Sequence, residues 1–379
     1  MNRIGPKAAH SKTDTTTPPV VMASAAPLPA AVVRLADVAR SAGVSLATAS
    51  RALSAPALVR EQTRERVREA AQQLGYVPHG AARALASQRT RTIGAVFPPL
   101  ENPIFATGTH MLAQTLEEHD YTLLLATHDD DLDAESRAVR RLIERGVDGI
   151  VLVGLEHRAE VIAMLNSNRV PFECTWAVDP KGLVQSVGID HRAASGAIVR
   201  HLLALGHREF AVIAGQLDRN DRAAARMAGL LEVLREHGIM LDPRRIVQAP
   251  FTLLDGRRAM ACLLDGAPGF TAVVGGNDPL AIGAMIECAA RGIEVPKAMS
   301  VVGFDDIELA GQWDPPLTTM RIPSADIGRA AGLRLMARLA GNAVRTVHTL
   351  ESRLIVRGST APAPDTPPHG GGRRSGRSP

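Results

Sequence analysis

A chain of 379 residues, 45% hydrophobic but only 3% aromatic, is too long for one ordinary core and implies two or three domains packed from Ala, Val, Leu and Ile. No apolar run reaches the roughly 18 residues a membrane helix needs, and Cys174, Cys262 and Cys288 form no CxxC pair, which points to reduced, mostly buried thiols in a cytosolic protein. The net charge of +4 is uneven, with ten arginines against four acidic residues in 34–91, so a small basic module suited to a polyanion precedes a larger acidic body.

Residues 1–32, rich in Thr, Pro and Ala without periodicity, read as a disordered arm; prolines interrupt the faintly signal-like "VVMASAAPLPAAVV" at 20–33. Residues 33–78 read as three short helices. The first runs from about Leu35 to Ser41 with Val38 and Ala39 inward, Gly43 supplies a tight turn, and the second starts at Ser45, a natural N-cap. The third, about Gln62–Leu74, places Val67, Ala70, Ala71 and Leu74 inward and ends at Gly75. Around the glycine, "DVARSAGVSLATASRAL" meets the needs of a helix-turn-helix: a second helix with small or polar outward residues that bulk does not keep from the major groove. The alternative is a plain helical hairpin. Ser45, Leu46, Ala47, Thr48, Ser50, Arg51 and Ser54, with Leu35 on the first helix, are the candidate DNA contacts. Arg bridges guanine or phosphate, Ser and Thr suit phosphates, and Leu and Ala meet a thymine methyl.

Residues 79–90 contain "HGAARALASQR", an Ala-rich segment with too few large apolar groups to fold alone. From Arg91 to about residue 358 the pattern changes. "TIGAVFP", "YTLLLAT", "GIVLV", "VPFECTW", "EFAVIAG", "TAVVGG" and "SVVGF" are short Val- and Ile-rich runs, with amphipathic helices at about 104–119, 133–145, 157–168, 191–205, 221–237, 255–264 and 278–291. Apolar strands alternating with helices mean parallel sheets covered on both faces. The length implies two doubly wound lobes with a ligand between the carboxyl ends of the strands. Residues 359–379, "STAPAPDTPPHGGGRRSGRSP", read as a disordered low-complexity tail without leucine heptads, so a dimer is expected rather than a coiled-coil-tethered tetramer.

No catalytic or metal constellation is legible. The acidic run "THDDDLDAE" has Ala134 and Arg140 where a calcium loop needs Gly and an acid. The histidines lack metal-ligand spacing, and GxSxG and GxxxxGK are absent. An enzyme is therefore not expected, nor a cofactor.

"LADVARSAGVSLATASRAL", "LLALGHREFAVIAG", "RAAARMAGL", "GNDPLAIGAM", "VPKAMSVVGFDDIELA" and "PPLTTMRIP" occur in this order, and residues 33–358 resemble the lac repressor (LacI) family of bacterial transcription regulators. The resemblance implies a DNA-binding headpiece, a hinge helix over 79–90, and a two-lobed, periplasmic-binding-protein-like core that binds a small effector and dimerises. Leu46 and Ala47 then sit at the variable base-reading positions, and Ser50 and Arg51 match the recognition-helix Ser-Arg. Leu85, with Ala82 beside it, matches the leucine that wedges into the minor groove, with Arg83 and Arg89 as basic neighbours. Ser54 stands where asparagine is common, and Gly80 and Ala86 make this hinge less helical and less basic.

In the core, Arg226 in "AAARMAG" and Asp278 in "GGNDPLA" match the family's effector-binding Arg and Asp. The alternatives are a helix-surface arginine and an N-cap aspartate. Asn102 and Phe105 in "ENPIFA", together with Phe251, are candidates for the cleft, with core packing the alternative for the two rings. Trp176 stands where many relatives have a polar sugar contact and is expected to stack on a sugar ring. Asp190 either caps helix 191–205 or faces the cleft. "NPIFA" and "ECTW" resemble the gluconate-responsive branch. The reading is a dimeric repressor of double-stranded operator DNA, cytoplasmic, with a sugar or sugar-acid effector. The alternative, a sugar-binding protein without a DNA role, leaves 34–89 unexplained.

Overall fold

A computed structural model describes residues 33–77, 89–100, 102–128 and 131–365. The chain divides into two compact units, 1–83 and 84–379.

The first unit holds three helices: α1 (Leu35–Ser41), α2 (Leu46–Ser54) and α3 (Glu61–Gln73). Val38, Ala39, Ala49, Ala52, Val67, Ala70 and Ala71 form its core. Small core residues let short helices approach closely. Gly43 turns the chain between α1 and α2 at φ +64°, a conformation that penalises a side chain. The Ser45 hydroxyl accepts the Thr48 amide at 3.1 Å and so starts α2, as expected of an N-cap.

The second unit contains two lobes. The first is built from β1 (Thr92–Phe97), α4 (Pro103–Glu117), β2 (Thr122–Thr127), α5 (Leu132–Glu144), β3 (Gly149–Val153), α6 (Ala159–Ser167), β4 (Phe172–Ala177) and β5 (Ser186–Ile189). The second comprises α7 (His191–Ala204), β6 (Phe210–Ala214), α8 (Asp221–Glu236), β7 (Ile246–Gln248), α9 (Leu253–Gly266), β8 (Ala272–Gly275), α10 (Asp278–Ala290), β9 (Ser300–Asp305), α11 (Glu308–Gln312) and β10 (Thr318–Arg321). The chain then returns to the first lobe as α12 (Ser324–Leu339) and β11 (Val347–Thr349), and ends on the second with β12 (Arg353–Ile355). The sheet orders are β11-β5-β4-β3-β1-β2 and β12-β10-β9-β8-β6-β7. Every pairing is parallel except β10 with β12. The chain therefore crosses between the lobes three times, near residues 190, 323 and 351.

The central strands are buried along their length because helices cover both faces of each sheet. α4 and α12 pack closely in the first lobe, where a Cβ on Gly328 would overlap the Gly108 carbonyl. The same lobe buries an ionic cluster. Arg334 on α12 donates through Nε to Glu173 Oε1 at 2.7 Å, and through Nη2 to Gln185 Oε1 at 3.0 Å. Burial pushes the Glu173 carboxyl up to about 6, with the Arg334 charge opposing the shift.

Two expectations need correction. Residues 359–365 are not a disordered tail: Ser359 is fully buried, its hydroxyl donates to the Val301 carbonyl at 2.6 Å and accepts the Thr318 amide at 2.8 Å. The segment continues across the second lobe, where the His207 ring lies 3.0 Å from the Ala361 carbonyl through Nε2, and the Ala363 amide reaches the Leu205 carbonyl. Low complexity misled because Ser, Thr and Ala fill a narrow groove as readily as they form loose chain. The sequence pattern also passed over α12 and the short strands β5, β7 and β10–β12, whose three- or four-residue lengths carry little periodicity. Residues 1–32 and most of the hinge, 78–88, lie outside the described residues.

Removing one partner of a buried ion pair leaves the other charge uncompensated. Arg334→Met is expected to destabilise the core by about 3–5 kcal/mol in chemical denaturation, and Glu173→Gln combined with Arg334→Met to recover much of that loss.

Candidate DNA-reading head and ligand cleft

On α2, Leu46, Ala47, Ser50, Arg51 and Ser54 are exposed and Thr48 half-buried, while Ala49 and Ala52 face the core. Leu46 is 54% exposed at the start of α2. Three expected contacts are partly committed elsewhere. The Ser45 and Thr48 hydroxyls bond each other at 2.8 Å, and the Ser54 hydroxyl donates to the Ser50 carbonyl at 2.8 Å. Leu35 packs half-buried against the helical core. Ala82, Arg83 and Leu85 lie outside the described residues.

A cleft of about 450 Å³ opens between the two lobes, within the range of small-ligand sites. The first lobe supplies Pro98, Asn102, Phe105 and Trp176; the second supplies His191, Asn220, Arg222, Arg226, Phe251, Asn277 and Asp305, among others. Parallel topology explains this convergence, because strand ends and helix N-termini meet at the same edge of each sheet. Three asparagines cap helices there. Asn102, Asn220 and Asn277 use Oδ1 to accept the Ile104, Ala223 and Leu280 amides. Committing Oδ1 to the cap turns each amide Nδ2 away from it. Asn102 Nδ2 donates across the lobes to Asp305 Oδ2 at 3.0 Å, whereas Asn277 Nδ2 has no partner.

Arg226 stands 4.6 Å above the Phe304 ring centroid and has no bonded partner for Nε. Desolvation lowers its guanidinium to about 10, against the favourable charge of Asp305. Asp305 is buried, and desolvation raises its carboxyl to about 6, opposed by Arg226 and the Asn102 bond. Its Oδ1 is unpartnered. His191 Nε2 donates to the Trp176 carbonyl at 2.7 Å, and the ring stacks on Phe304. Burial, then the Arg226 charge, holds His191 well below the usual imidazole range, so it is neutral and its unpartnered Nδ1 is a bare acceptor. The cleft thus gathers free donors on Trp176, Arg226 and Asn277 beside free acceptors on His191 and Asp305.

Backbone strain marks the same place. Trp176 has φ +62° and Asp305 φ +120°, conformations costing side-chain-bearing residues of order 1–3 kcal/mol each.

Trp176 is not the stacking platform expected of it. Its ring is 1% exposed, packed edge-to-face against Phe97 and Phe105 in a slot that Gly108 leaves open. Its indole Nε1 is buried without a hydrogen-bond partner. Asp190 caps α7, accepting the Ala193 amide at 2.9 Å, and does not line the cleft. Asp278 is neither the cleft acid nor the cap of α10. Fully buried, it takes the Ile307 amide and the Thr319 hydroxyl, and burial followed by the Asp305 charge raises its carboxyl well above the usual range. The cap is Asn277, and the acid in the cleft is Asp305. Nothing in the strand-end "GFDD" distinguishes Asp305 until β9 is seen to deliver it to the cleft; Asn220, Arg222 and His191 are found the same way, at helix starts.

Residues 34–79 match the profile of bacterial regulatory proteins of the lacI family, and residues 199–360 match a periplasmic binding protein-like domain. The HTH-type transcriptional repressor CytR of Escherichia coli is 34% identical over 329 residues, which are 86% of this chain and 96% of CytR. The chain belongs to the lacI family of bacterial regulatory proteins. Its fold superposes on a LacI-family regulator from Silicibacter pomeroyi with TM-score 0.80 at 29% identity, covering 87% of this chain and 100% of that one. The lac repressor dimer bound to operator and the anti-inducer ONPF gives TM-score 0.80 at 27% identity, covering 87% and 99%. Among the described residues, no helix is long and apolar enough to cross a membrane, and no group of three His, Cys, Asp or Glu side chains is arranged for a metal ion.

The two aspartates should separate by experiment. Asp278→Ala is expected to lower the melting temperature by several degrees by orphaning a buried amide. Asp305→Asn should leave the fold intact and weaken ligand binding in the cleft about 10- to 100-fold by calorimetry.

Proposed function

We propose that this lacI-family chain is a homodimeric, cytoplasmic repressor of operator DNA, released or recruited by a polyhydroxylated effector bound in the inter-lobe cleft. The observation that carries the reading is the joining of two features in one chain. The first is a basic helix-turn-helix with Leu46, Ala47, Ser50 and Arg51 exposed on α2; the second is a cleft with unpartnered donors and acceptors. Sugar hydroxyls both donate and accept, so they complement such a mixed set; a purely apolar ligand would leave it unsatisfied. Symmetry of a dimer would place two copies of α2 on two half-sites.

Charge bears on which sugar. Arg222 is paired with Asp221 at 2.8 Å, and Arg226 lies in the field of Asp305, so the two guanidinium groups are already opposed by two carboxylates. This balance favours a neutral polyol, with one hydroxyl accepting from Arg226 and another donating to Asp305. The second reading is a sugar acid, as the resemblance to the gluconate-responsive branch suggests; the unpartnered Nε of Arg226 favours it.

Titration calorimetry across sugars and sugar acids at pH 7.5 and 5.5 separates the two. A neutral polyol that donates to ionised Asp305 should bind more weakly as pH falls through about 6, where Asp305 takes its proton. A carboxylate ligand, repelled by ionised Asp305, should bind more tightly over the same interval. The DNA role is checked by electrophoretic shift with the gene's own upstream palindrome. Arg51→Ala is expected to cost about 1–3 kcal/mol of operator affinity. No shift with any upstream DNA would contradict the reading.

A further inference from the structure

Besides Asn102 with Asp305 and His191 with Trp176, a further hydrogen bond joins the lobes. The Leu155 amide, just after β3 in the first lobe, donates to Asp221 Oδ2 at the start of α8 in the second, at 2.9 Å. Asp221 Oδ1 accepts from Arg222 Nη1 at 2.8 Å, and Arg222 lines the cleft. The approach is tight: at Gly154, φ +85°, a Cβ would overlap both the Arg222 guanidinium and Asp221 Oδ1. Only glycine allows the backbone of one lobe to come so near the ion pair of the other.

Behind this contact lies a buried polar cluster with no part in the cleft. His157 Nδ1 lies 2.8 Å from Glu135 Oε1 on α5, and its Nε2 lies 3.1 Å from the Gly154 carbonyl and 3.7 Å from Cys174 Sγ. The His157 and Glu135 side chains are each 2% exposed. The Gly154 carbonyl and the Leu155 amide belong to one planar trans peptide, so they point in opposite directions. A His157 ring that donates Nε2–H to the carbonyl from inside the first lobe therefore fixes the Leu155 N–H outward, toward Asp221.

We propose that the Gly154–Leu155 peptide is an inter-lobe latch: His157 is its positioning residue, Asp221 its catch, and the bond between them sets how much of the protein holds its lobes closed. Arg222 links the latch to the cleft, because a ligand that engages its guanidinium alters the partner of the catch. Only this last consequence rests on the cleft being the effector site; the latch itself is testable without effector.

The test is amide hydrogen exchange at Leu155 in the full-length, effector-free protein, with melting temperature measured alongside. In the wild type the Leu155 amide should exchange slowly. Asp221→Ala should speed its exchange at least 10-fold, Asp221→Asn less because its amide oxygen still accepts, and His157→Gln should speed it too, all without losing the folded transition. Spin labels at Glu117→Cys and Glu236→Cys, with exposed Cys262→Ser, should report a longer inter-lobe distance for Gly154→Ala and Asp221→Ala. A Leu155 amide that exchanges like an open loop in the wild type, or equally slowly in folded Asp221→Ala, would overturn the latch.

Discussion

Polar atoms held out of water without partners are the constraint on which the cleft depends. Each such group costs of order 1–3 kcal/mol, and five gather here, on Trp176, His191, Arg226, Asn277 and Asp305. A chain does not keep this arrangement for stability. It is sustained because rigid elements hold each group: Asn277 by its cap on α10, His191 by its bond to the Trp176 carbonyl, Arg226 by its seat over Phe304. The site is organised before the ligand arrives, so little binding energy is lost to ordering it.

The return of the chain into the first lobe, and its crossing out again, tie the two sides of the cleft together. The lobes share three connections, an arrangement suited to hinge motion around a common seam. Hydrogen bonds at Asn102–Asp305 and Leu155–Asp221 span that seam. A ligand that binds the closed arrangement better than the open one shifts the balance between them, and if operator binding also favours one arrangement, linkage makes the two affinity changes equal.

Much of this was legible in the residues. The helix-turn-helix declared itself through Gly43, the Ser45 cap and the Ala-lined interior, since each answers to local geometry. The central strands were equally plain, being continuous apolar runs such as "GIVLV". The cleft acid was not. Asp278 follows a cap-like asparagine at a helix start and looks the better candidate, whereas Asp305 ends a strand in "GFDD". Only the sheet, by placing β9 at the cleft and turning the Asp278 carboxylate toward Ile307 and Thr319, separates them. Trp176 lines the cleft, but sequence cannot show that Phe97, Phe105 and the space at Gly108 consume the faces of its ring.

The most direct test of the account is a reciprocal linkage measurement. Labelled operator is titrated with protein at increasing concentrations of the sugar found by calorimetry, and the sugar's affinity is measured with and without saturating operator. The account predicts equal fold-changes in the two directions for the wild type. It also predicts that Asp305→Asn loses the response to sugar while keeping its sugar-free operator affinity. A sugar response that survives Asp305→Asn unchanged would contradict it, because the ligand would then be read somewhere other than this cleft.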